Sequence, residues 1–308
     1  MQQSRLPGSL STGVRHLTLE AAGVTLSCLL AEVPDGEPRA TVVALHGGGM
    51  TAGYFDGQAH PDLSLLTLGA RLGFTVLAVD RPGYGLSAGR LPDGQTLAEQ
   101  AEVLQAALES FAARYATGAG FFLLAHSYGG KLALVTAARA DGLLALDVSG
   151  CGHRYGVEPA ELLEIGRGAH RGRNWGPLWL YPPGTFRSIG SLIAPMPARE
   201  AAEVAHWPAL FEDLAPRVRI PVRLTFAEHE AWWLHGERDL ADLTARLAAA
   251  PVVRVERQPA AGHNISLGWA ARAYHLRALA FFEERLSVSA EDERQSRARV
   301  RSGATPRV

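Results

Sequence analysis

The chain of 308 residues sets 30 Lys plus Arg against 31 Asp plus Glu, a formal net charge of -1, and is 47% hydrophobic. That balance argues against a nucleic-acid or anionic-membrane surface and supplies a large core. Only Cys28 and Cys151 are present, which excludes a disulfide framework and a cysteine-rich zinc site.

The opening stretch MQQSRLPGSLSTGV lacks the apolar segment of a signal peptide. The longest apolar runs, GFTVLAV and GFFLLA, fall far short of the roughly 20 residues a membrane helix needs. A cytoplasmic protein is therefore the expectation. In chain order, HLTLEAAGVTLSCLLAEV reads as two strands of a hairpin. ATVVALHGG and FTVLAVDRPG are apolar and β-branched, each stopped by glycine or proline, as buried parallel strands are. Between them PDLSLLTLGARLG has helical spacing, with Pro61 and Asp62 suited to its first turn and Gly73 to its end. QTLAEQAEVLQAALESFAARYA is a longer amphipathic helix. Strands follow at FFLLAHS, LLALDVSG, IPVRLTFAE and PVVRVERQP, and the helix GWAARAYHLRALAFFEERL closes the pattern.

This alternation predicts an α/β fold with a mostly parallel, doubly wound sheet and helices on both faces. Residues 150–199, rich in Gly, Pro, Arg and Trp, are too long for a simple connection and read as a lid inserted after the sixth strand. Residues 1–149 and 200–286 make up the core. The polar stretch 287–308 lacks aromatics and reads as a disordered tail.

Three stretches carry chemistry. In AHSYGG, Ser127 lies where a buried strand gives way to a helix. A strained turn there pushes the hydroxyl out of the sheet, and small neighbours such as Ala125 and Gly129 let the two backbones approach. The plainer alternative is a serine that caps an ordinary helix. In LHGGGM, after the strand TVVA, glycines allow backbone N–H groups to face a developing oxyanion. The amide of Gly48, with Gly49, forms one side and the amide of Tyr128 the other. A phosphate-binding turn fits less well, because neither a following Lys-Ser/Thr nor a G-x-G-x-x-G spacing is present. In GHN, His263 follows the last strand, where a histidine can reach Ser127 from a separate loop.

These stretches, with DRPGYGLS (Asp80 to Ser87) and IPVRLTFAEHE, resemble the α/β-hydrolase family over roughly residues 15 to 286, in the family's order. The resemblance implies a triad in chain order Ser, acid, His: Ser127, an acid and His263. Ala125 departs mildly from the G-x-S-x-G form. The acid has three candidates. Glu230, just past the strand PVRLTF, fits the family's place for it; Asp239 in LHGERDL and Asp147 in LALDVSG are the others. Expected neighbours of the substrate are His46, His126, Trp175, Trp179 and Trp232, with Tyr54, Phe55 and Asp56 at the entrance; the plainer alternative is that His46 braces its loop, His126 packs beside the bend and the tryptophans pin the lid to the core. Arg154, Arg167, Arg171, Arg173 and Arg187 form either a solvated basic face or an anion contact.

The function so implied is a serine hydrolase that cleaves a small-molecule ester or thioester through an acyl-enzyme, with no metal and no organic cofactor. Nucleic-acid and membrane partners are not expected. Other acyl transfer, amide or C–C bond hydrolysis, and a non-catalytic binder of the same fold are the alternatives.

Overall fold

The computed structural model describes residues 9–162, 165 and 171–301. Its first two strands, β1 (Arg15–Ala21) and β2 (Val24–Ala31), pair antiparallel. The turn between them takes positive φ at both Ala22 (49°) and Gly23 (75°), the tight primed geometry that matches strand twist. Six further strands follow: β3 (Ala40–Leu45), β4 (Phe74–Val79), β5 (Phe121–His126), β6 (Leu143–Ser149), β7 (Val222–His229) and β8 (Val253–Gly262). The sheet has eight strands in the order β1-β2-β4-β3-β5-β6-β7-β8, parallel from β4 onward.

The helices are α1 (Leu65–Arg71), α2 (Leu97–Ala112), α3 (Tyr128–Arg139), α4 (Pro159–Leu162), α5 (Arg171–Trp175), α6 (Thr185–Ser188), α7 (Ala198–Glu203), α8 (Trp207–Leu214), α9 (Glu237–Arg246) and α10 (Ala271–Arg301). Alternation along the central strands divides the core in two. Val43, Leu45, Leu123 and Ala125 join the cluster under α2, α3 and α8, while Val42, Ala44, Phe122 and Leu124 join the one under α1 and α10. Both faces of the sheet are thus covered, as the continuous apolar strands require.

Strand order reverses at β3 and β5. The chain leaves β3 toward α1 on one face and leaves β5 for α3 on the other, and a crevice opens at the carboxyl ends of such a pair. The loop after β3 and the bend after β5 flank that crevice.

Two sequence expectations need adjustment. The first helix begins later than expected: Pro61–Leu63 form a short 3-10 turn, and Ser64 caps α1 by accepting the Thr67 amide hydrogen. The stretch from Ser287, expected to be disordered, continues α10 as helix to Arg301, because its Ala, Glu, Gln and Arg residues are strong helix formers. Residues 302–308, also included in that expectation, lie outside the described residues.

Candidate active site

The bend after β5 is built around backbone strain. Ser127 sits at φ 52° and ψ -115°, far outside the regions open to an ordinary side chain. Its amide donates to Ser149 O at 2.8 Å, and its carbonyl accepts from Gly130 N at 2.9 Å, so the strain is held from both sides. The side chain caps nothing in α3. Gly129 sits so near β3 that an added Cβ would lie 2.3 Å from Leu45 O. Ala125 is fully buried between β3 and β6.

The sheet register brings the other two side chains together. His229 at the end of β7 is paired with Gly262 at the end of β8, so the next residues, Glu230 and His263, emerge side by side. His263 Nδ1 lies 2.8 Å from Glu230 Oε2 and 3.1 Å from Oε1, and Nε2 lies 3.1 Å from Ser127 Oγ. A proton on Nδ1, donated to the carboxylate, leaves Nε2 to accept the serine hydroxyl hydrogen. Glu230 Oε1 also accepts the Trp232 amide hydrogen at 2.9 Å. His263 and Glu230 are buried, whereas Ser127 is half-buried. Gly150, at φ 58°, completes the fit: an added Cβ would lie 2.9 Å from His263 Cε1. Such a set can take a proton from a hydroxyl, hold it on an oriented imidazole and return it.

Asp239 and Asp147 are both engaged elsewhere. Asp239 lies in the first turn of α9 and accepts from exposed Arg154 at 3.3 Å. Asp147 is fully buried in β6, ion-paired with Arg223 and accepting the Tyr274 hydroxyl at 2.7 Å. Burial pushes the Asp147 carboxyl above its usual range, against the pull of Arg223.

On the side expected to receive an oxyanion, Gly47 packs on the bend, where an added Cβ would lie 3.1 Å from Ser127 Cβ. Among the described residues, neither the Gly48 amide nor the Tyr128 amide is hydrogen-bonded to a protein acceptor. Tyr128 opens α3, whose first amides have no partner within the helix. Gly49 is a correction: its amide donates to Tyr84 Oη at 3.0 Å and is therefore committed. Met196 reaches over the loop, its Cε 3.1 Å from an added Cβ on Gly48.

A strut that the sequence reading missed holds this loop. Arg81 is completely buried. Its Nε donates to His46 O at 2.8 Å, and its amide donates to His46 Nε2 at 3.1 Å. Its guanidinium grips Glu200 at 2.7 and 2.8 Å, and the Tyr84 hydroxyl donates to the same carboxylate at 2.7 Å. An arginine two residues past a buried strand was the available signal; Glu200, 119 positions away, gave none.

For His46 and His126 the substrate role is corrected, and the alternative of bracing and packing is what the contacts give. His46 is fully buried, with Nδ1 2.8 Å from Gly47 O and Nε2 accepting from Arg81, so it braces the loop. His126 stacks on Tyr54 at 4.8 Å and backs the His263 ring at 4.7 Å, with Nδ1 3.1 Å from Ser149 Oγ. Burial holds both imidazoles well below the usual histidine range. Tyr54, Phe55 and Asp56 are buried and do not form an entrance.

Trp175 is half-buried against Tyr181 and Phe186, each at 5.1 Å, and its backbone carbonyl covers Gly262 beside His263. The Trp232 indole donates to Asn174 Oδ1 at 2.8 Å, which ties the loop carrying Glu230 to α5. Trp179 is 65% exposed and meets His229 edge-on. Arg154 pairs with Asp239, and Arg173 pairs with Glu161. Arg167 and the Arg171 side chain lie outside the described residues. Among the described residues, no group of three His, Cys, Asp or Glu could hold a metal, and no helix is long and apolar enough to cross a membrane.

An eight-stranded, mostly parallel sheet with a strained serine at its switch point defines the α/β-hydrolase class. The model of the Alpha/beta hydrolase family matches residues 42–279, and the chain belongs to that family. No curated protein matches the sequence significantly. Among solved structures, the chain is similar to a thermostable carboxyl esterase from Bacillus coagulans, at TM-score 0.66 and 16% identity over 90% of this chain and all of the other. It is also similar to an enol-lactonase from Burkholderia xenovorans, at TM-score 0.65 and 15% identity over 87% of this chain and all of the other. A thioesterase domain of the curacin biosynthetic pathway aligns at TM-score 0.59 and 15% identity, over 85% of this chain and 98% of the other. At these identities the likeness speaks for the fold.

Proposed function

We propose that the protein is a serine hydrolase that cleaves a carboxylic ester or thioester of a small molecule. The observation that carries this reading is the unbroken chain of contacts from Ser127 Oγ through His263 to Glu230, at 3.1 and 2.8 Å. His263 takes the Ser127 proton as the oxygen attacks the acyl carbon. The amides of Gly48 and Tyr128 receive the oxyanion, and His263 then protonates the departing alcohol or thiol. A water activated by the same imidazole releases the acid from the acyl-enzyme. Glu230 keeps the Nδ1 proton in place and stabilises the imidazolium.

The segment between β6 and β7 serves as the lid in this reading. Its Met196 overhangs Gly48, and an antiparallel bridge joins its Ile193 to Met50. Trp175 and Trp232, on either side of the α5 contact, form the apolar wall for the acyl group. The structural relatives named above include an esterase, a lactonase and a thioesterase, all acyl-transfer chemistries, which supports the substrate class. A panel of acyl esters and thioesters of graded chain length, run on wild type and Ser127→Ala, tests it. Turnover of at least one series by wild type and none by the variant is expected; equal turnover by both rejects the reading.

A further inference from the structure

Of the 30 Lys and Arg residues in the chain, Lys131 is the sole lysine. It lies one helical turn past Ser127 on α3 and is 3% exposed. Four rings surround its ammonium: Tyr128 and Tyr155 at 5.3 Å, and Trp207 and Trp233 at 5.6 Å. Its Nζ donates to Tyr155 Oη at 2.7 Å, and that hydroxyl donates on to Val204 O at 2.9 Å.

The rings come from four parts of the molecule. Tyr128 opens α3 and carries the proposed oxyanion amide. Tyr155 follows β6, Trp207 begins α8, and Trp233 lies three residues past Glu230. Tyr155 and Trp233 stack at 4.2 Å and share a backbone bridge. The indoles of Trp233 and Trp207 donate to Gly150 O at 2.8 Å and Gly152 O at 2.7 Å. Gly156 N donates to Trp232 O at 2.8 Å, next to the amide that holds Glu230. The Tyr128 ring also meets the Arg81 guanidinium, 4.8 Å away.

We propose that the Lys131 ammonium is a positioning group for the reaction at Ser127, clamping the Glu230 loop and the segment after β6 onto the nucleophile helix through this aromatic cage. The inference rests on the acyl-transfer reading. A methionine of similar length would fill the same space without desolvating a charge, so packing alone does not call for an amine here. A compact ammonium with three donors can attract four rings at once, as the planar guanidinium used elsewhere in the chain cannot.

The groups facing Lys131 are Cys151, Glu200, Glu203 and Arg81, besides the cage phenols. Burial pulls the amine down to about 8; Cys151, Glu200 and Glu203 push it back up, and Arg81 adds to the drop. The clamp therefore loses its charge as pH rises through about 8.

A sole lysine makes the test direct, since protein labelled with 13C at lysine Cε gives one lysine resonance. In wild type we expect that resonance to titrate near pH 8, kcat to fall through the same midpoint, and KM to change less than about twofold. Lys131→Met should melt no lower than wild type, lack the alkaline limb and show kcat reduced about tenfold at pH 7. A Lys131→Met enzyme with wild-type kcat and the same alkaline limb overturns the proposal. If no acyl substrate turns over, amide protection at Trp232–Leu234, corrected for intrinsic exchange, decides the matter. Protection lost in Lys131→Met, and in wild type above the lysine midpoint, supports the clamp while rejecting the acyl reading; unchanged protection overturns the clamp.

Discussion

Arg81 and Glu200 form a fully buried, two-pronged ion pair at 2.7 and 2.8 Å that joins the turn after β4 to α7 and holds the loop bearing Gly48. Because Arg81 also donates to His46 O and reaches Gly47 O at 3.3 Å, the pair fixes the loop's backbone directly. Removing the carboxylate leaves a buried guanidinium unpaired. Glu200→Ala should lose about 3–5 kcal/mol of stability by urea denaturation. In the fraction that remains folded, kcat should fall by at least about tenfold as the Gly48 amide drifts.

The crossing of β5 and α3 tolerates little extra volume. An added Cβ on Gly129 would lie 2.3 Å from a backbone oxygen that has nowhere to move. Gly129→Ala should therefore fail to give folded protein, judged by near-UV circular dichroism. Ala125→Val, in the same buried crossing, should cost about 1–3 kcal/mol and distort the bend, lowering kcat more than KM.

Glu230→Gln keeps the shape of the acid but removes the charge that fixes the Nδ1 proton. Turnover should fall roughly a thousand- to ten-thousand-fold with the melting temperature changed little. Asp147→Asn should do the reverse, weakening the buried contacts to Arg223 and Tyr274 and lowering the melting temperature while the folded protein keeps its turnover. Steady-state kinetics beside thermal melts for the two variants separates the roles.

Acid should unfold the protein through its buried imidazoles. Burial lowers His46 and His126 well below the ordinary histidine value of about 6.5 and pulls His275 down to about 3. Below pH 6.5 the unfolded chain therefore binds protons that the native state refuses. Stability is fully present above that value and falls as pH drops toward about 3, with a limiting slope near 1.4 kcal/mol per pH unit for each such histidine. Urea titrations between pH 7 and pH 4 check the sign; a stability that rises on acidification would refute it.

Much of the fold was legible because its strands are short apolar runs that end in glycine or proline, and buried parallel strands have few other ways to read. The candidate residues Ser127 and His263 were legible for a related reason: each follows directly on such a strand, and Gly48 lies in the glycine run just past another. Glu230 was harder, since Asp239 and Asp147 also sit near strand ends. What separates them is the His229 to Gly262 register, a long-range fact no local pattern carries. Glu200 and Met196 were hidden for the same reason, because their contacts close only when the segment between β6 and β7 folds back over the loop after β3. His46 and His126 stayed open between two roles, because a histidine beside such a motif looks the same in sequence whether it faces substrate or braces the backbone. Gly49 misled because a glycine run does not say which of its amides is already taken. The part of α10 past Ser287 reflects propensity; with no apolar periodicity to read, its composition resembled a solvated tail.

The central claim is that Ser127 is the nucleophile. A fluorophosphonate probe, followed by intact mass and peptide mapping, tests it most directly. One covalent adduct per chain on Ser127 is expected, absent in Ser127→Ala and strongly slowed in Glu230→Gln. A folded native protein that takes no adduct, or takes it on another residue, would contradict the account.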